Sequence, residues 1–341
     1  MKNAANFFIV TISTVLILIY AEGLIIPFIF AFLLWFLTVE FRKQLNKITF
    51  IEQKLPKWFK NVFVFILMIS SLYIIVENLY NSIHSLSASY SQYGANIEST
   101  ISKIDDTFQI NLKKKFDSAI VDIDFTSILS SILNELSTVL GDAFMIIIYA
   151  LFLLLEESTF SVKLKKLYPQ KNNYEKVNSI LGKIETSVFR YLRLKTVVSL
   201  LTGFLSFLVL YFIGIDSPVF WAFLIFLLNY IPTIGSLVAT VFPAAYSLIQ
   251  FGNFSTLFII LAAVGAVQLL VGNYIEPRIM GKSLNISPLI TIIALSVWGQ
   301  IWGITGMVLS VPITVIMIII FSQFEQTKAV AIMMTENGDI E

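Results

Sequence analysis

Apolar residues in this chain gather into runs long enough to cross a bilayer, with polar stretches between them. The runs fall at roughly 5–21, 24–39, 61–79, 141–155, 197–213, 219–250, 254–272 and 288–321. A spanning helix needs about 20 consecutive apolar residues, so the pattern predicts an all-α polytopic membrane protein with about eight membrane segments. The first two runs read as short spans joined near Glu22-Gly23. A cleaved signal peptide is the weaker reading of this start, because no A-x-A-like site follows the first run.

Between the third and fourth runs the period changes from a continuous apolar block to a stripe. Ile83, Leu86, Tyr90, Tyr93, Ile97, Ile101, Ile104 and Phe108 recur at spacings of three and four, and Ile128, Leu129, Ile132, Leu133, Leu136, Val139 and Leu140 form a second stripe. Both predict amphipathic helices of an arm able to pair within or between subunits. The chain's one histidine, His84, lies in this arm and reads as a solvated residue. Residues 174–195 are amphipathic too: Val177, Leu181, Ile184, Val188 and Tyr191 line one face, with Lys176, Lys183, Arg190 and Arg193 elsewhere. A basic amphipathic helix beside a span is expected to lie among lipid headgroups.

Two apolar runs are broken, and the breaks resemble each other. In 219–250 the stretch NYIPTIGS sets Pro232 and Gly235 three residues apart, leaving pieces 219–231 and 237–250. As helices these would be roughly 20 Å long, short of a hydrocarbon core about 30 Å thick. In 288–321 the break carries Gly299-Gln300, Gly303 and Thr305-Gly306, with Pro312 beyond it as Pro243 lies beyond Gly235. Each broken run follows an ordinary span, 197–213 or 254–272. Residues 197–250 and 254–321 therefore read as two span-plus-hairpin units of inverted orientation, the breaks being re-entrant tips. Paired Gly/Pro-interrupted segments in corresponding halves are a sequence pointer to a transporter's solute site. Close helix packing on small residues is the plainer account of the same glycines.

Charge supplies the topology. Residues 41–60 hold six basic residues against one acid, and 156–196 hold nine against four. The excess places both loops, and with them both termini, on the cytoplasmic side. The resulting organisation is 1–80, N-terminal spans; 81–140, extracytoplasmic arm; 141–158, a span; 159–196, cytoplasmic linker; 197–321, a transport core; and 322–341, a cytoplasmic tail.

Composition narrows the chemistry. Hydrophobic residues make up 57% of the chain and charged ones 13%, against about a quarter in soluble domains. Without cysteine there are no disulfides or thiolate sites. From Val197 to Phe321 the charges are Asp216, Glu276, Arg278 and Lys282, and neither broken run contains any. The polar groups at the breaks are neutral: Asn229, Thr233 and Ser236 in one, Gln300, Thr305 and Ser310 in the other, with Gln268 and Asn273 on the span between. Amides, hydroxyls and freed backbone groups suit a small, neutral, hydroxyl-rich solute. Proton relays usually use intramembrane carboxylates or histidine, a role left to the border residues Glu276 and Asp216. The plainer reading of Glu276 is an ion pair with Arg278 at the inner surface. An enzyme fits poorly: no paired carboxylates, histidine or phosphate loop falls in the spans. No metal, cofactor or nucleic acid is called for.

The stretches NYIPTIGSLVATVFPA and NYIEPRIMGKSLNISPLITIIALSVWGQIWGITGMVLSVPITV resemble the AI-2E family, the autoinducer-2 exporter-like permeases. The likeness extends over essentially the whole chain and is most specific from about 180 to 321. It implies passage of autoinducer-2 or sodium/proton antiport, and a homo-oligomer, a pentamer, in the bacterial inner membrane. The family's recurrent positions map onto Pro232, Gly235, Pro277, Gly281, Pro288, Gly303, Gly306 and Pro312. Many relatives carry histidine before the proline matched by Pro288; this chain has Ser287. The expected pathway is thus Asn229, Pro232, Thr233, Gly235, Ser236, Gln268, Asn273, Gln300, Gly303, Thr305 and Gly306. Glu276 and Asp216 are the candidates for ion coupling, and Pro277, Arg278, Gly281, Pro288 and Pro312 are structural. A permease, an antiporter and a non-transporting scaffold whose arm binds partners remain the competing readings, with a solute and membrane lipid as the partners.

Overall fold

The computed structural model of the protein describes residues 2–47, 55–93, 96, 125–280 and 285–340. The described residues form helices and no strand. In chain order these are α1 (Lys2–Tyr20), α2 (Glu22–Leu45), α3 (Lys57–Gln92), α4 (Phe125–Leu167), α5 (Lys171–Ile213), α6 (Pro218–Leu228), α7 (Ile234–Phe251) and α8 (Phe254–Leu270). A π-helical segment, Val271–Ile275, then leads into α9 (Glu276–Met280), α10 (Pro288–Phe321) and α11 (Glu325–Met334). Among the described residues seven helices are long and apolar enough to cross a membrane, and α6 is a shorter apolar helix. Gly281 and arm positions 97–108 of the expected stripe lie outside the described residues.

The chain divides into two compact units, 1–78 with 133–179 and 79–132 with 180–341. In the first, Ala31 of α2, Phe65 of α3 and Ala150 of α4 meet in a small apolar core. One end of that unit is clamped by charge. Arg42 donates to both carboxylate oxygens of Glu157, at 2.8 and 3.1 Å, and to Asn61; Lys60 donates to Asn46 at 2.7 Å. The second unit contains both broken runs.

The amphipathic stretch 174–195 is the first half of α5 and not a separate surface helix. No glycine or proline occurs between Gly182 and Gly203, so nothing stops the helix from running on into the apolar span. Its apolar face meets protein: Val188 and Tyr191 pack with Met280, Ile286, Val311, Val315 and Ile318. His84 is exposed, while its neighbours Ile83 and Leu86 are buried.

Both broken runs double back. If straight, the 34 residues of α10 would extend about 51 Å, far beyond a bilayer core. Instead Trp302 (φ −130°, ψ 22°) and Gly303 (φ 57°, ψ −138°) leave the helical region. A Cβ added to Gly299 would lie 3.1 Å from Met307 Cγ, residues that a straight helix separates by about 12 Å. The two limbs, 288–302 and 303–321, are about 22 and 28 Å long. In the first broken run the turn occupies 229–233, between α6 and α7, whose lengths are about 16 and 27 Å. The near-equal pieces expected from the sequence are therefore unequal. Helix α7 starts three residues earlier than the expected 237 and carries Pro243 within it, reaching a length that can span.

The two turns are built alike. A Cβ added to Gly235 would run into the Leu228 carbonyl and lie 3.1 Å from Ile231 Cβ; one added to Gly306 would run into the Trp298 carbonyl and lie 3.1 Å from Trp302 Cβ. At each, any side chain would overlap backbone. The C-terminal segment is tied to the start of the second hairpin. Ser287 N–H donates to the Met334 carbonyl at 3.0 Å, and Asn285 Nδ2 donates to the Asp339 carbonyl at 2.8 Å.

Gly235→Ala and Gly306→Ala should each lower stability by about 2–3 kcal/mol, the cost of overpacking a site with no free volume. Gly182→Ala, with open space on a helical backbone, should raise it by about 0.5–1 kcal/mol. Thermal unfolding of the purified protein in nanodiscs measures all three.

Candidate functional site

Helix α5 supplies the surface on which the first turn is held. Its buried face reads Val188, Tyr191, Lys195, Ser199, Thr202 and Ser206, steps of three and four that carry apolar packing into a polar seam. Gly203 on the same side lets α6 approach, with its Cβ position 3.1 Å from the Ala222 carbonyl. At the turn, Asn229 is 8% exposed and donates through Nδ2 to Ser199 Oγ at 3.0 Å. Thr196 and Tyr230 share a hydroxyl–hydroxyl hydrogen bond of 2.7 Å.

The turn itself is strained. Thr233 has φ 60° and ψ −59°, and the Ile234 amide reaches the Pro232 carbonyl at 2.6 Å. This is a γ-turn of the positive-φ kind, rare for any residue and costly for a β-branched one. Ser236 Oγ caps the same turn by donating to the Thr233 carbonyl at 2.9 Å. The second turn relies on glycine: Gly303 takes the positive φ, and Ser310 donates within its own helix to Met307.

Of the residues expected to line a pathway, Asn229, Pro232 and Thr233 lie in the first turn and Gly235 and Ser236 open α7, while Gln268 lies on α8. A Cβ added to Gly265 of α8 would lie 3.9 Å from Thr240 Cγ2 of α7, so the two positions face each other, and α7 and α8 run antiparallel from the Gly252-Asn253 connection. Gln268, one turn further along α8, is then level with Ser236 and Leu237. It is 9% exposed. Asn273 is exposed in the π-helical segment, Gln300 is exposed, and Thr305 is half-buried. The side-chain partners of the two turns are separate, Asn229 going to α5 and Ser310 to its own helix.

Glu276 does not pair with Arg278. It follows the π-helical segment, and its carboxylate accepts from Lys195 Nζ across to α5, Lys195 being buried and Glu276 mostly so. Arg278 is exposed. The π-helix adds a residue to the turn and re-aims the chain, so that Glu276 faces α5 while Arg278, two residues on, faces away. Lys195 is the last of the nine basic residues of 156–196, which the sequence assigns to the cytoplasmic linker and not to this site. The signal was present: Tyr191, Lys195, Ser199 and Thr202 share one helical face.

Asp216, the other border carboxylate, sits in a hydrogen-bond cluster. Its carboxylate accepts from Tyr93 at 2.7 Å, Gln250 at 3.2 Å and Tyr246 at 3.3 Å, and its amide donates to Gln250 Oε1 at 2.9 Å. Asn96 donates to the Gln250 carbonyl at 2.8 Å. The start of the arm is thereby fastened to the 214–217 connection. Burial, then the hydrogen bond to Asp216, pushes the Tyr93 phenol up to about 12.

No group of three or more metal-ligating side chains occurs among the described residues. The sequence model of the AI-2E family transporter matches residues 7–326. Among individual relatives, a Borreliella burgdorferi protein is 34% identical over 226 residues, 64% of this chain and 62% of that protein. The AI-2 transport protein TqsA of Escherichia coli is 28% identical over 321 residues, covering 93% of this chain and 91% of the relative. A sodium-lithium/proton antiporter of Halobacillus andaensis is 28% identical over 180 residues, 51% and 49% of the two chains.

Two outcomes follow from these contacts. Glu276→Gln should destabilise the protein by about 2–3 kcal/mol by leaving a buried ammonium without its counter-charge, and Lys195→Met with Glu276→Met should recover most of that loss in thermal unfolding. The folded state holds the Tyr93 proton more tightly than the unfolded chain, whose phenol titrates near 10. The arm's attachment is then complete below pH 10 and lost as the pH climbs toward 12. Hydrogen exchange across 79–93 should report that loosening, and Tyr93→Phe should remove its pH dependence.

Proposed function

The chain belongs to the AI-2E family of transporters, and from that premise we propose that it is a permease for a small, neutral, hydroxylated metabolite. Autoinducer-2 is the candidate solute, from the name of the Escherichia coli relative. The carrying observation is the pair of helical hairpins with the same glycine-on-carbonyl turn, each bearing uncharged polar side chains. Breaks of this kind in corresponding halves of a membrane chain are where transporters bind their cargo. The pathway runs past Asn229, Thr233, Ser236 and Gln268 at one hairpin and Gln300, Gly303 and Thr305 at the other. The protein acts in the bacterial inner membrane with both termini cytoplasmic, as the basic loops favour.

A neutral cargo is favoured by the location of the charges. The carboxylates bordering the hairpins are occupied, Glu276 by Lys195 and Asp216 by three donors. A sodium/proton antiporter is the second reading, supported by the buried position of the Lys195–Glu276 pair and by the relative from Halobacillus andaensis. Under it, sodium-driven pH change in everted vesicles would vanish in Glu276→Gln.

Efflux of autoinducer-2 from proteoliposomes tests the first reading. Replacing Asn229 and Gln300 with leucine should slow efflux about tenfold, the loss of one or two hydrogen bonds to the solute. Gln300→Leu alone is the cleaner arm, because Gln300 is exposed and its loss strands no buried partner. Unchanged efflux in both variants would remove these residues from the pathway.

A further inference from the structure

Gln268 stands apart from the other polar residues near the hairpins. It occupies the buried stripe of α8, in step with Ile260, Val264 and Val271, each fully buried and apolar. Its Nε2 is enclosed and has no hydrogen-bond partner among the described residues. A buried amide left unpaired incurs the full desolvation penalty of its two N–H groups. Leucine would fill the same space without that penalty, so a glutamine at this position points to a partner that comes and goes.

The opposite surface names what that partner must offer. Thr240 faces Gly265 across the α7–α8 contact. Ser236, one turn nearer the hairpin tip on α7, is level with Gln268, one turn nearer the tip on α8. Both hydroxyls on α7 have spent their protons on carbonyls, Ser236 on Thr233 and Thr240 on Ser236, at 2.9 Å each. Their oxygens can still accept. Helices α7 and α8 therefore bring a hydroxyl acceptor and unpaired N–H donors to the same level. Immediately beyond Gln268 the helix widens into the π-helical segment, where the Glu276 amide bonds five residues back to Val271. Such widened turns recur at functional sites.

We infer that Gln268 and Ser236 form one recognition subsite for a hydroxyl group of the solute. The hydroxyl accepts from Gln268 Nε2 and donates to Ser236 Oγ. A carboxylate could satisfy the amide but has no proton for Ser236, and its charge would face no cation on either broken run. An apolar solute satisfies neither wall. The subsite therefore selects neutral, hydroxyl-bearing molecules over acids of similar size. This deepens the permease reading and rests on it for the solute's passage, though binding itself can be measured without flux.

The experiment uses the full chain in nanodiscs, with D-ribose and erythritol as hydroxylated probes and acetate as the acid control. Without probe, Gln268→Leu should melt a few degrees above the wild type, since it removes an unpaired amide. With probe, the wild type should show a saturable rise in melting temperature from ribose or erythritol and none from acetate. Gln268→Leu and Ser236→Ala should each weaken that response about tenfold, one hydrogen bond's worth of affinity. A lower melting temperature for Gln268→Leu would mean that the amide is satisfied within the fold, and would overturn the proposal. So would equal probe responses in wild type and variants, or no saturable response to either probe. Flux in liposomes separates the two readings. Probe binding that depends on Gln268 without any flux keeps the subsite and rejects the permease. Flux unchanged in both variants keeps the permease and rejects the subsite.

Discussion

Asn229 can end a helix in an apolar setting because Ser199 of α5 takes one of its amide hydrogens. That bond stands for a general constraint: in hydrocarbon, the polar groups gathered at a break must find their partners inside the protein. Helix α5 meets the constraint along its length. It packs Val188 and Tyr191 on the second hairpin, pairs Lys195 with Glu276, binds the first turn through Thr196 and Ser199, and admits α6 at Gly203. Interrupting α5 would strand each of these partners in turn. Its unbroken 43 residues are what allow its neighbours to be broken.

The same seam explains why buried charge is tolerable there. A buried lysine ammonium would be left with an uncompensated charge unless a carboxylate met it. Glu276 meets it only because the π-helical segment rotates the chain after Gln268 by one extra residue. The unpaired amide, the widened helix and the ion pair therefore follow one another along the chain from α8 to α9.

Much of this was legible in the residues. The apolar runs gave the spans, and Pro232, Gly235, Gly303 and Gly306 marked where the chain turns. The inequality of the hairpin limbs was not legible, because the residues do not show that α6 stops at Leu228 while α7 begins at Ile234 and runs on through Pro243. A proline in a membrane helix can be absorbed when neighbours satisfy the freed carbonyl, which is a tertiary fact. Asp216 looked like a free carboxylate for the same reason: Tyr93, Tyr246 and Gln250 reach it from positions far away in the chain. Pairing Glu276 with Arg278 followed sequence proximity, and proximity misleads where the helix changes period.

The two turns share a glycine packed on a carbonyl yet differ in how the chain reverses. In the first the positive φ falls on Thr233, a residue for which that conformation costs about 1–3 kcal/mol. Such strain persists only where surroundings over-determine it, and here they do: Asn229, Tyr230 and Ser236 are each hydrogen-bonded within three or four residues of Thr233. In the second turn the positive φ falls on Gly303, exposed and without a neighbour within 4 Å of its Cβ position, where glycine adopts it at little cost. One hairpin is thus held in a costly shape by α5, and the other rests in an inexpensive one. The backbone therefore has least freedom to yield at the first turn, the one that Ser236 caps.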